Sequence, residues 1–299
     1  MKITLTGSLG NISLPLAQQL IAGGHTVTIV SHSPERIKAI EALGAIPAIG
    51  SVDDPHFLRS AFKDADAVYT MIPPAFQAAD IRQYMRSVGD NYARAIAENG
   101  VGHVVNLSSV GAHLANGAGP AGANHYVEAK LNELTGTHIL HLRPGMFYTN
   151  FLGSIPMIKQ QGIIGNNFDG SVNMVLTHPR DIAMVAAEAL DNTLRFTGKH
   201  IRYIGHEITG AEVAAILGNA IGRPDLAWIG FPDNDLLYGL MQNGLTEQMA
   251  KVYVLEIGVA LREDQLLDSY REHRHNAAGS IHSFHHFAKD FATAYHQHA

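Results

Sequence analysis

Two stretches of this sequence hold residue types at spacings that can do chemistry. The first is Gly7-Ser8-Leu9-Gly10-Asn11-Ile12-Ser13, which follows an apolar run and opens a helical pattern. Glycines there permit a tight turn and let backbone N–H groups reach a pyrophosphate at a helix N-terminus. The spacing is GxxGxxS rather than GxGxxG, and an ordinary strand-to-helix turn is the alternative reading. The second stretch is Tyr126-Val-Glu-Ala-Lys130, a YxxxK pattern, with Ser109 upstream of it. Such a tyrosine can serve as general acid, with the lysine lowering its pKa and the serine orienting a carbonyl. The plainer readings are a solvated helix lysine and a half-buried packing tyrosine.

A dinucleotide site needs more than a phosphate turn. At the end of the second predicted strand stand Ser31, His32 and Ser33, with Arg36 one turn further on. No carboxylate precedes Glu35, so a ribose diol lacks its usual acceptor, and this set suits a 2′-phosphate better. NADP(H) is therefore favoured over NAD(H), although Ser33 could simply cap the helix that begins at Pro34. Met71, Ile72 and Pro73 fall at the C-terminal edge of the fourth predicted strand, where ligands sit in open α/β sheets. Phe147, Tyr148 and Asn150 follow Pro144-Gly145 on that same edge and could line a substrate pocket; for Phe147 the alternative is plain core.

The elements that would position these residues alternate. Lys2–Thr6, His25–Val30, Ile46–Ile49, Ala67–Ile72 and His103–Leu107 read as strands. Helical patterns intervene at Leu14–Ala22, Pro34–Leu43, from Asp54-Pro55 onward, and at Ile81–Glu98. Continuous apolar strands between helices signal a parallel sheet covered on both faces. Beyond residue 150 helices dominate, including Pro179–Leu190 and one opened by the capping box Thr209-Gly-Ala-Glu212. The expectation is an α/β fold, a Rossmann-type doubly wound parallel sheet over 1–150, with parts of 170–205 returning to it. Residues 151–299 form a smaller, discontinuous, mostly helical lobe on the substrate side.

Composition narrows the classes. The 299 residues are 46% hydrophobic and 16% charged, with a formal net charge of −6, which offers no basic field to nucleic acid or an anionic membrane. With no cysteine, thiolate nucleophiles and thiolate metal sites are excluded. No apolar run reaches a membrane span and no signal pattern opens the chain, so the expected location is the cytoplasm. Seven of the 18 histidines, His273, His275, His282, His285, His286, His296 and His298, lie in the last 29 residues. They match no metal-ligand spacing, whereas Phe284, Phe287 and Phe291 recur as the buried stripe of a terminal helix. No metal site is expected.

The glycine turn TGSLGNISLPLAQQL resembles the TGATGxxG opening of the NmrA-like group of atypical short-chain dehydrogenases. DADAVYTMIPP, HVVNLSSVGA, LRPGMFYTN, THPRDIAMVAAEAL and ITGAEVAAILGNAIGRP are similar to later segments of that family, in order along nearly the whole chain. The resemblance implies an NAD(P)-binding Rossmann domain. It also weakens the YxxxK reading: the family's lysine stands about 18 residues before the LRPG arginine, and a shortfall above about 3.6 residues exceeds one helical turn. Here Lys130 precedes Arg143 by 13. Counting back places His125 in the lysine slot and Ala121 in the tyrosine slot, so His125 is favoured as the residue facing the cofactor, with Glu128 further along. The resemblance implies an NAD(P)H-dependent oxidoreductase reducing a small apolar electrophile such as a quinone, enone, azo or carbonyl compound. The alternative is a non-catalytic redox sensor that reports the dinucleotide to a protein partner. A homodimer stays open.

Overall fold

The computed structural model describes residues 1–75, 77–193 and 196–297; His298 lies outside them. Its strands are β1 Lys2–Leu5, β2 Thr26–Ser31, β3 Ile46–Ile49, β4 Ala67–Thr70, β5 His103–Leu107 and β6 His138–Pro144. They are followed by β7 Met146–Phe147, β8 Ile163–Asn166, β9 Asn173–Thr177, β10 Lys199–Ile204, β11 His206–Thr209 and β12 Ala227–Gly230. The main helices are α1 Ser13–Ala22, α2 Ile37–Ala42, α3 Pro55–Ala61, α4 Ile81–Asn99, α5 Ala121–Asn132, α6 Ile155–Gln161, α7 Pro179–Asp191 and α8 Gly210–Ala220.

A seven-stranded sheet runs in the order β10-β6-β5-β4-β1-β2-β3, and its pairings from β6 to β3 are all parallel. This is the doubly wound Rossmann arrangement. The order reverses between β1 and β4, which is where such sheets open a crevice for a ligand. The apolar strands explain the architecture: Ile3, Leu5, Ile29, Val68, Val104 and Ile139 are each 1% exposed or less. Each such side chain contributes about 1.5–3 kcal/mol by leaving water. On one face Val88, Tyr92 and Ile96 of α4 join Leu58 and Phe62 and Val127 of α5 in a single cluster. α1 packs against α7.

Local signals set most boundaries. Asp54 caps α3 by accepting from His56 N and Phe57 N, and Asp80 caps α4 through Gln83 N. Two expected boundaries moved. β4 ends at Thr70 rather than Ile72 because the Thr6 hydroxyl takes the Met71 N–H at 2.8 Å, removing it from the ladder. The helix expected over Pro34–Leu43 resolves into a 3₁₀ turn, Pro34–Arg36, and then α2; Ser33 makes no side-chain cap bond to support a full first turn.

The chain divides into two compact units. One comprises 1–112, 123–143 and 179–202; the other comprises 113–122, 144–178 and 203–299. The segment 113–122 belongs with the second because Gly119 N donates to Glu256 Oε2 and a His113 ring nitrogen meets Gln265 O. That unit holds the small sheets β11-β9-β7 and β12-β8. Its C-terminal helix, Phe284–Gln297, buries Phe284, Phe287 and Phe291 and leaves His285, His286 and His296 exposed.

Candidate dinucleotide site

The glycine turn sits at the C-terminal end of β1, beside β4. Gly7 has φ +94°, and a Cβ there would stand 2.5 Å from Ser13 Oγ and 2.9 Å from Met71 Cγ. Only glycine fits. Ser8 also adopts a left-handed backbone, φ 54°, which costs about 1 kcal/mol for a residue with a side chain. It is held there by two bonds: its N–H donates to Val30 O, and its hydroxyl to Ser31 Oγ at 2.9 Å. Gly10 N closes the turn on Gly7 O. Ser13, in the third glycine slot, is buried with its hydroxyl on Thr6 O at 2.8 Å, so the departure from glycine is absorbed inside the fold.

α1 then begins at Ser13 with Ile12 at its N-cap position, no side-chain cap bond and no acidic residue in its first turn. Leu9 is half-buried, Gly10 and Asn11 are exposed, and the Ile12 side chain is buried as packing. The turn therefore presents backbone donors and positive helix-end potential to whatever lies above it, the chemistry a diphosphate requires. A glycine turn followed by an uncapped helix start fits that group.

Below the turn is a hydrogen-bonded hub that sequence reasoning did not anticipate. The Thr6 hydroxyl receives Met71 N and lies 3.3 Å from Tyr69 O, while the fully buried Tyr92 donates to Met71 O at 2.7 Å. Burial pushes the Tyr92 hydroxyl well above its ordinary titration range. The hub fixes Met71, and with it the half-buried Ile72 and Pro73, at the β4 end of the crevice.

At the end of β2 the four residues separate. Ser31 is buried and its hydroxyl is engaged by Ser8 Oγ and, at 3.3 Å, by Ser33 N. It therefore accepts two bonds that shape the loop. His32 and Arg36 are exposed and Ser33 half-buried, with Ser33 spending no side-chain bond on the following turn.

The β5–α5 region sorts its candidates by face. The Ala112 carbonyl can only accept, so at 3.0 Å it fixes the proton of His125 on Nδ1, leaving Nε2 as the other ring nitrogen. Ala112 N in turn donates to the carbonyl of Ser109, so Ser109 and His125 belong to one bonded turn. Tyr126 and Lys130 face elsewhere. The Tyr126 hydroxyl donates to Asp90 of α4 at 2.9 Å, with the Arg86 guanidinium 5.5 Å from its ring, and Lys130 pairs with Glu133 at 2.7 Å. The Asp90 bond raises the Tyr126 pKa, opposite to what a tyrosine general acid needs.

Glu128, on the same helix, is buried and takes a two-pronged bond from Arg143, Nε to Oε1 at 2.9 Å and a terminal nitrogen to Oε2 at 2.6 Å, plus the Ser108 hydroxyl. This knot docks α5 onto β5 and β6 and thereby sets where His125 stands. Beside it, a buried ladder runs from Thr70 through Asn106 to His141 and on to Asn132. Burial holds His141 neutral, its pKa lowered to about 4.

In the second unit, Gly145 sits where a Cβ would lie 2.1 Å from Val175 O, which is why the LRPG turn must end in glycine for β7 to approach β9. Phe147 is half-buried and Asn150 exposed. Tyr148 is fully buried, with its hydroxyl donating to His282 O at 3.0 Å and meeting Ser280 Oγ and His206 Nδ1. Among the described residues no group of three histidines or carboxylates could hold a metal ion, and no helix is long and apolar enough to cross a membrane.

Known proteins resemble this chain in sequence or in fold. A (4-alkanoyl-5-oxo-2,5-dihydrofuran-3-yl)methyl phosphate reductase of Streptomyces griseus is 28% identical over 229 residues, 74% of each chain. The triphenylmethane reductase of Citrobacter sp., solved with NADP(H), superposes with a TM-score of 0.81 at 17% identity, covering 97% of this chain and 99% of the other. An NADPH-dependent quinone oxidoreductase of Escherichia coli, solved with NADPH, gives 0.79 at 18% identity, covering 96% and 99%. At that identity the structures speak for the fold. The family model described as the NmrA-like family matches residues 1–269. Glycine turn, sheet order and family match agree, and the chain belongs to the NmrA-like family.

Proposed function

We propose that this protein is an NADP(H)-dependent reductase of small apolar electrophiles, of the quinone, enone, azo or carbonyl kind. The observation that carries the reading is the start of α1: a glycine turn only Gly7 can make, followed by a helix end without a side-chain cap. Backbone N–H groups of Leu9, Asn11 and Ile12 bind the diphosphate, those of Ser8 and Gly10 being spent inside the turn, and Met71 to Pro73 flank the dinucleotide where the sheet order reverses. Arg36, His32 and Ser33 take the 2′-phosphate, the guanidinium through paired donors. When bound, the reduced nicotinamide supplies the hydride. The chain's own part is to orient the substrate, keep water out, and deliver a proton from the imidazolium form of His125, in which Nε2 carries a proton besides the one Nδ1 keeps on Ala112 O, with Ser109 as hydroxyl donor on the same turn. Phe147 and Asn150 are the residues of the LRPG segment that remain available to a substrate.

The test is a titration of the purified chain with NADPH, NADP⁺, NADH and NAD⁺, followed by NADPH oxidation with a panel of quinones and enones. NADPH is expected to bind at least 10-fold tighter than NADH, and Arg36→Ala to remove most of that ratio, about 1.4 kcal/mol. No binding of any dinucleotide would end the reading. A second reading, a non-catalytic dinucleotide sensor, is favoured by the turning of Tyr126 toward Asp90, which leaves α5 without a tyrosine acid. It is separated by binding without turnover across the panel.

A further inference from the structure

We propose that the second unit carries a small-molecule site of its own, selective for an uncharged, mainly aromatic or alicyclic compound. The site is a cavity of about 620 Å³ bounded by β11, α8 and the segment that enters the C-terminal helix. That volume lies in the usual range for small-molecule pockets. Its apolar walls are Ile208, Ala215, Ile216 and Phe284.

Neutrality of the ligand follows from how the polar lining is spent. Glu207 is held by Arg271 through two nitrogens at 3.2 and 3.3 Å, with Arg274 at 3.9 Å. Glu212 closes the capping box on Thr209 and stands at the exposed rim, where an ion pair with a ligand adds little. His206 Nδ1 is on the Tyr148 hydroxyl, and Ser283 Oγ receives His286 N at the start of the C-terminal helix. A cation finds Glu207 already paired with Arg271 and Glu212 screened by water at the rim, and an anion finds no lysine or arginine in the lining. An apolar body gains from the walls in either case. None of these residues belongs to the dinucleotide turn, so binding here does not depend on the reductase reading.

The experiment titrates the full chain with indole, tryptamine and indole-3-acetate, by calorimetry or ligand-observed NMR. Indole is expected to bind saturably, with a dissociation constant on the order of 1 mM or tighter, and both charged analogues at least five-fold more weakly. Ala215 is exposed on α8, so Ala215→Trp fills the cavity from that wall and abolishes indole binding while NADPH binding and the melting curve hold. If that variant melts early, Ala215→Leu serves instead and weakens indole at least three-fold. Absence of saturable indole binding, equal binding of the charged analogues, or undiminished binding in the folded Ala215 variant would each overturn the proposal.

Discussion

Two helix starts in this molecule are built in opposite ways. α8 opens on Thr209, whose hydroxyl receives Glu212 N while Glu212 reaches back to Thr209 N at 2.8 Å, so these two amides are satisfied from within, and Gly210 N and Ala211 N go to Val172 O and Gly170 O. α3 and α4 do the same with Asp54 and Asp80. α1 has neither cap nor acid, and the turn before it carries two left-handed residues in succession, Gly7 and Ser8. A capped start stabilises its own helix by about 1 kcal/mol. An uncapped one forgoes that and keeps its potential for a ligand. The difference separates polar groups spent on the fold from polar groups held back at a site, and each can be tested by exchanging one for the other.

The largest expected effect comes from filling the cradle. Gly7→Ala places a methyl in van der Waals overlap with Ser13 Oγ and Met71 Cγ and forces φ +94° on a residue with a side chain. We expect a loss of roughly 2–4 kcal/mol in urea unfolding, with NADPH affinity lowered on the order of 100-fold. Wild-type NADPH affinity in a folded Gly7→Ala protein would show that the turn is only a connection.

The fully spent extreme is the Thr70–Asn106–His141–Asn132 ladder. Its pH dependence has a definite sign. The unfolded chain protonates His141 below about pH 6.5, while the folded protein resists until about pH 4, so stability is complete above 6.5 and is lost as pH falls through that window. The shift amounts to roughly 3 kcal/mol. Denaturant titrations between pH 7 and 4 should show this slope in the native chain, and the difference from His141→Gln should isolate it. Parallel curves for the two proteins would mean that burial does not hold this ring neutral.

Exchanging the two designs gives a smaller pair of effects. Asn11→Asp puts an anion beside the α1 start and should lower NADPH affinity about 10-fold with stability within about 0.5 kcal/mol. Thr209→Ala removes the α8 cap and should cost about 1 kcal/mol while leaving NADPH affinity alone. The comparison fails if both variants move the same observable.

Much of this is legible in the residues alone, for identifiable reasons. Strands such as Ile46–Ile49 and His103–Leu107 carry their signal in consecutive apolar residues, and Asp54-Pro55 and Thr209…Glu212 in cap chemistry a few residues long. What escapes depends on partners distant in sequence. Thr6 ends β4 from 65 residues away. Ser31 is consumed by Ser8, and Tyr148 by Ser280 and His282 more than 130 residues downstream. Hydroxyls at a sheet edge look alike in sequence whether they face a ligand or a neighbouring loop.

The YxxxK match shows the same ambiguity and carries the smallest predicted effect. Both side chains are satisfied on the α4 side of α5, Tyr126 by Asp90 and Lys130 by Glu133. The lysine is exposed, so water screens its ion pair, and raising the tyrosine pKa makes it a poorer proton donor to substrate. Tyr126→Phe and Lys130→Ala should therefore leave the turnover rate of NADPH oxidation within about two-fold of the native chain. If either variant instead slows turnover by about 100-fold or more at unchanged NADPH affinity, the pair returns to the reaction and displaces His125 from it. Small changes confined to the melting temperature would place Tyr126 with the capped helices, among the groups already spent on the fold.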